Sequence, residues 1–191
     1  MYSLFYFLFA VLFSCDPGSK TTDPGTDTVK EPELTFDSCS QNIDSHPCNF
    51  SLKNQHGETV ELYDFYGKVI VVDFSVMWCG PCFSMAQAAD PITAEYGSEN
   101  VEWLTIIIED ESAQSPDQDD LQRWADSAGI SGHVLGADRN MIDLDAKAGY
   151  PITSWPTFVV IDQEMVLRYG VSGWSESMLR QLLDSLINTG A

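Results

Sequence analysis

The sequence predicts an α/β domain, with a central mixed β-sheet flanked by helices and an N-terminal β extension. Three observations carry this. Residues 69–76 and 103–108 are continuous apolar runs, as strands covered on both faces should be. Segments with helical spacing of apolar residues alternate with them. The last two strand-like runs, 157–161 and 165–169, are separated only by Asp162-Gln163-Glu164, so they pair as an antiparallel hairpin and make the sheet mixed. A chain of 191 residues that is 44% hydrophobic supports one core.

Taken in order, the folded part starts near Leu34. Residues 49–53 and 58–62 read as short strands around the turn Asn54-Gln55-His56-Gly57. Residues 69–76 form the first central strand, and a helix follows over 81–96 with a kink at Pro91. Residues 101–109 form a second buried strand. Ser115 is the expected N-cap of the next helix, with Pro116 at its first position, Gln118 closing a Ser-x-x-Gln box and Gly129 ending it. A short strand over 133–137 leads to Asp138, which caps a helix running to residue 148. After the hairpin, Ser175 caps a last helix whose Met178, Leu179, Leu182, Leu183, Leu186 and Ile187 fall at helical spacing.

The chemistry is concentrated in Trp78-Cys79-Gly80-Pro81-Cys82. The stretch follows a buried strand directly, and Gly80-Pro81 starts a helix. Cys79 therefore sits at a helix N-terminus, where unpaired N–H groups and the helix dipole favour a thiolate. A thiolate is the form that attacks disulfides, and such a setting lowers a cysteine pKa to roughly 3.5–7.5.

The N-terminus reads as a targeting segment. An almost wholly apolar run over 4–13 is too short to span a bilayer as a mature helix. It ends Leu12-Phe13-Ser14-Cys15, which resembles a bacterial lipobox with Cys15 as the lipidated residue. Residues 1–14 are then the signal peptide. Residues 15–33, with Asp-Pro-Gly twice and no aromatic, form a tether whose reach is about 22 Å, and 34–191 form the domain. Both a lipoprotein signal and an ordinary one place the domain outside the cytoplasm. With Cys15 set aside, four cysteines remain, which in an oxidising compartment suggests two pairs. Cys79 and Cys82 are the active pair by context. Cys39 and Cys48 are either a structural staple or two separate thiols. A formal net charge of -20 argues against nucleic acid and against anionic lipid held through a basic patch. The acidic cluster around 109–120 reads mainly as capping and solvation.

These residues together resemble the thioredoxin-like superfamily. Trp78-Cys79-Gly80-Pro81-Cys82 is identical to the thioredoxin active-site pentapeptide. Asp73 lies six residues before Cys79, and Trp155-Pro156-Thr157 with the strand after it is similar to the cis-proline loop. The export signal, the tether and the helix and strand inserted between Ser112 and Ala137 resemble the membrane-anchored TlpA/ResA-type thiol–disulfide oxidoreductases of the redoxin family. The resemblance implies a thioredoxin fold, with Cys79 as the exposed nucleophile and Cys82 as the buried resolving thiol. It implies that Asp73 exchanges a proton with Cys82, on a pKa raised by its apolar run. Trp155 and Pro156 present backbone to an extended substrate, Trp78 gives an apolar contact surface, and Gly80 and Pro81 complete the substrate-facing loop. No cofactor beyond the Cys79–Cys82 disulfide is implied. The implied partners are protein disulfides or dithiols and a membrane electron donor, with the chain a monomer. The chain departs from thioredoxin in having no Lys or Arg between Lys68 and Arg123, and in carrying the bulky Trp155 before the proline.

A disulfide reductase is the favoured activity, because Gly-Pro is the reducing dipeptide of this superfamily. A disulfide oxidase or isomerase on the same fold is an alternative, since the compartment also sets direction. A peroxiredoxin-like peroxidase is another, although that chemistry takes a Thr where this chain has Val76. A zinc site on Cys79 and Cys82 lacks two further ligands at finger spacing, since Cys39, Cys48, His46 and His56 are not so placed. His46, His56 and His133 read as ordinary surface or loop residues.

Overall fold

The computed structural model describes residues 34–143 and 149–187. The signal segment, Cys15 and the tether lie outside the described residues. Seven strands form one sheet: β1 (Ser51–Asn54), β2 (Thr59–Glu61), β3 (Val69–Ser75), β4 (Val101–Ile107), β5 (His133–Gly136), β6 (Thr157–Ile161) and β7 (Leu167–Ser172). Their order is β2-β1-β5-β4-β3-β6-β7. The centre, β5-β4-β3, is parallel, and the flanking pairs are antiparallel. Every residue of β3 and β6 is buried, which explains why both read as unbroken apolar runs.

Side chains alternate across β3. Phe74 packs against Tyr150, with ring centroids 4.7 Å apart, on one face. Asp73 lies on the other, beside Thr105 and Phe158 in register. That second face carries the helices. Phe158 and Trp103 both meet Trp174, just before α4 (Glu176–Ile187). The helices pack on one another there: Phe83 of α1 (Gly80–Ala86) meets Trp124 of α3 (Gln118–Ala128) edge to face. Tyr96, at the end of α2 (Ala89–Tyr96), donates its hydroxyl to Arg180 O and to Asp184 of α4.

Three helix predictions need correction. The segment over 81–96 is two helices, α1 and α2, separated at Gln87 and Ala88. Pro91 lacks an N–H and its ring crowds the carbonyl four residues back, which is that of Gln87, so the helix breaks there instead of bending. The N-cap of α3 is Asp117, not Ser115. Asp117 Oδ1 accepts from Asp120 N–H at 2.9 Å, and Asp120 Oδ2 accepts from Asp117 N–H at 2.8 Å. Gln118 is thereby freed to donate its side-chain amide to Gln55 O. Asp138 does cap the next segment, but its first turn is a 3₁₀ turn, Arg139–Ile142, and residues 144–148 lie outside the described residues.

The N-terminal part of the domain is pinned to the β6–β7 hairpin. Cys39 and Cys48 are disulfide-bonded. Between them Asp44 N–H donates to Leu167 O, Leu167 N–H donates to Ser45 O, and Arg168 pairs with Asp44. His46 stacks on Phe36 and its Nδ1 sits 2.8 Å from Met165 O.

Candidate active site

β3 delivers the chain to the site at its C-terminal end. Past Ser75, Met77 N–H donates to Glu109 O and Cys79 N–H to Val76 O, which turns the chain into α1. Cys79 is the N-cap residue of α1, and Gly80 and Pro81 open the helix. Proline is tolerated there because first-turn N–H groups have no helical partner. Cys79 and Cys82 form a disulfide, and Cys79 Sγ accepts from Cys82 N–H at 3.2 Å. That bond, at a helix start, favours the thiolate once the disulfide opens. Cys82 is fully buried and Cys79 keeps 7% exposure. Cys79 is thus more enclosed than an exposed nucleophile, because the closed disulfide ties its sulfur to the Cys82 sulfur embedded in the core.

Asp73 lies two residues before the end of β3 and is fully buried. Ser75 Oγ donates to its Oδ1 at 2.7 Å and Thr105 Oγ1 to its Oδ2 at 3.4 Å. Burial pushes the carboxyl up to about 7, and the two hydroxyls oppose that rise. A carboxyl with that pKa holds or releases a proton near neutral pH. The two hydroxyl partners, Ser75 and Thr105, are no part of the sequence expectation for Asp73. They moderate the shift without cancelling it.

The Trp155-Pro156 bond is cis. Thr157 pairs with Phe74, and β6 runs antiparallel to β3, so Pro156 lies alongside the end of β3 that leads into the cysteine pair. Pro156 O accepts from Gly173 N–H at 2.7 Å. Trp78 is 53% exposed and is no core aromatic. Its indole N–H donates to Glu109 Oε2 at 3.0 Å, and Arg139 pairs with the other carboxylate oxygen. Glu109 was not singled out from the sequence, where it reads as the first member of an acidic cluster. Its one distinguishing mark is that it directly follows the apolar run that continues from β4 through Ile108, and its side chain is almost wholly covered.

The structure therefore brings Asp73, Trp78, Cys79, Gly80, Pro81, Cys82, Trp155 and Pro156 to one end of the β3–β6 pair. It leaves Cys39 and Cys48 elsewhere, since their loop sits against Met165 and Leu167 at the opposite end of β6. Among the described residues no three His, Cys, Asp or Glu side chains gather as a metal-ligand set.

The fold and this site define a thioredoxin-like thiol–disulfide oxidoreductase. The chain belongs to the AhpC/TSA family, whose model matches residues 43–170. Over 137 residues it is 26% identical to the thioredoxin-like protein YneN of Bacillus subtilis, covering 71% of this chain and 75% of that one. It is equally similar, 26% over 137 residues, to the thiol-disulfide oxidoreductase ResA of Halalkalibacterium halodurans, covering 71% and 72%. Among solved structures, the exposed lipoprotein thioredoxin Etrx1 of Streptococcus pneumoniae is 27% identical with a TM-score of 0.59, over 73% of this chain and 100% of that one. A thioredoxin-family thiol:disulfide interchange protein of Chlorobium tepidum shares the fold at a TM-score of 0.62 and 19% identity, over 76% and 98%.

Proposed function

We propose that this protein reduces disulfides of exported proteins outside the cytoplasm, using Cys79 and Cys82. The observation that carries the reading is the placement of Cys79 at the N-terminus of α1, with Cys82 buried behind it and Asp73 buried on the adjoining strand. In the reduced protein the Cys79 thiolate attacks a substrate disulfide. A mixed disulfide forms, and one substrate sulfur leaves as a thiolate that takes up a proton. Asp73 accepts the Cys82 proton, and Cys82 then attacks Cys79 Sγ. The second substrate thiolate leaves and is protonated, and the Cys79–Cys82 disulfide remains. Two electrons and two protons pass to the substrate. Trp155 and Pro156 offer backbone to the substrate chain, and Trp78, Gly80 and Pro81 form the surface it meets.

Regeneration then takes two electrons from a membrane donor protein. A lipid on Cys15 and a tether over 15–33 would keep the domain 34–191 within reach of that donor, as a monomer facing the periplasm or the cell exterior. The likeness to an exposed lipoprotein thioredoxin supports this location. The test is insulin reduction with dithiothreitol, run beside Cys79→Ser. Turbidity at the background rate would overturn the reading. A Cys79–Cys82 potential near −270 mV supports a reductase, whereas one near −120 mV makes the protein an oxidant.

The family match favours one second reading, a thiol peroxidase. Val76, fully buried three residues before Cys79, has no hydroxyl to offer a peroxide. Fast peroxide turnover that survives Cys82→Ser would reverse the preference.

A further inference from the structure

We infer that Arg139 is a positioning residue for this reaction, holding Trp78 in place beside the cysteine pair through Glu109. The inference rests on the reductase reading above and names a residue which that reading does not use. Glu109 grips the segment before Cys79 at two points. Its backbone carbonyl accepts from Met77 N–H at 2.9 Å, and its carboxylate accepts from the Trp78 indole N–H at 3.0 Å. The Glu109 side chain is only 2% exposed. A carboxylate so enclosed is costly unless a cation is paired with it. Residues 69–122 contain no Lys or Arg, so the cation has to come from a distant part of the chain. Arg139 supplies it, from the 3₁₀ turn that follows β5 and is capped by Asp138.

The arrangement is a relay of contacts: Arg139 to Glu109, Glu109 to Trp78, and Trp78 to the adjacent Cys79. The indole is half in solvent, and a ring so placed keeps one orientation only if its polar edge is held. An oriented aromatic beside the disulfide lowers the entropy lost when a client docks. Arg139 itself remains 69% exposed, and the proton and electron steps use Cys79, Cys82 and Asp73. Its loss should therefore weaken client capture more than turnover.

The test combines nitrogen-15 NMR of the tryptophan indoles with insulin-reduction kinetics on the purified protein, Trp78→Phe identifying the Trp78 signal. In Arg139→Ala the Trp78 indole proton should exchange about ten-fold faster, a local opening. KM should rise about five-fold, the size of one lost hydrogen bond, while kcat moves by less than about two-fold. Arg139→Lys should recover most of both changes. In a Glu109→Gln background, Arg139→Ala should add nothing, since the path runs through Glu109. Unchanged exchange and KM in Arg139→Ala would overturn the inference, and so would full additivity with Glu109→Gln. If the wild-type protein fails to reduce insulin, the reductase reading falls while the indole exchange still decides the role of Arg139.

Discussion

Ser75 Oγ donates a 2.7 Å hydrogen bond to the Asp73 carboxylate, two residues along the same strand and on the same face of the sheet. The carboxyl nevertheless titrates near 7, because burial outweighs what Ser75 and Thr105 return to the charged form. The pair sets the proton affinity on which the proposed resolving step depends.

The first consequence concerns stability. The Asp73 carboxyl is raised from 3.8 to about 7 on folding, so between those values the folded protein binds the proton that the unfolded chain has released. Stability therefore falls as pH rises through this window, and the full penalty stands above pH 7. Asp73→Asn has no charge to bury and keeps an acceptor for Ser75. It should be more stable than wild type at pH 8, by about 4 kcal/mol, and nearly equal to it at pH 4. Urea denaturation of the oxidised proteins at the two pH values measures this.

The same substitution should slow reduction. With no base behind Cys82, resolution of the mixed disulfide loses its proton acceptor. Insulin reduction at pH 7 should fall by at least about ten-fold, and the inflection near pH 7 in the wild-type rate profile should disappear. The contrast of a more stable and slower variant separates a proton-transfer role from a structural one.

Ser75→Ala should move that inflection instead of removing it. The Ser75 bond favours the charged carboxylate, so its loss raises the Asp73 pKa further. The midpoint of the pH–rate profile should shift upward by about one unit, the scale of one hydrogen bond to a charged group. A profile that stayed at the wild-type midpoint would show that Ser75 does not tune Asp73.

Much of this site was legible in the sequence because its signals are local. A buried strand, a Cys-x-x-Cys pair and a Gly-Pro helix start lie within fifteen residues, and the apolar runs of β3 and β4 mark the sheet. The partners of Glu109 were not legible, because Arg139 lies thirty residues away and no spacing rule links a turn to a strand end. The start of α3 was misplaced for a different reason. Ser115 and Asp117 are both good capping residues, and only the return bond from Asp120 decides between them. Asp117→Ala should accordingly cost about 1 kcal/mol of stability in denaturant titrations, whereas Ser115→Ala should cost less than about 0.5 kcal/mol.

The Cys39–Cys48 disulfide should contribute to stability and not to turnover. It closes a loop with a sequence separation of 9, and that loop is joined to the β6–β7 hairpin through Asp44, Ser45 and Leu167. A loop of this length constrains the unfolded chain by about 2–3 kcal/mol. Replacing both residues, Cys39→Ser with Cys48→Ser, avoids leaving a lone thiol to attack the active pair. The double variant should lower the free energy of unfolding by that amount while insulin reduction and the Cys79–Cys82 potential stay at wild-type values. The separation follows from the fold, since the loop meets β6 at its C-terminal end and Pro156 precedes its N-terminal end, with the length of the strand between them. A changed potential in the double variant would mean that the second disulfide exchanges with the first, and its role would then be catalytic.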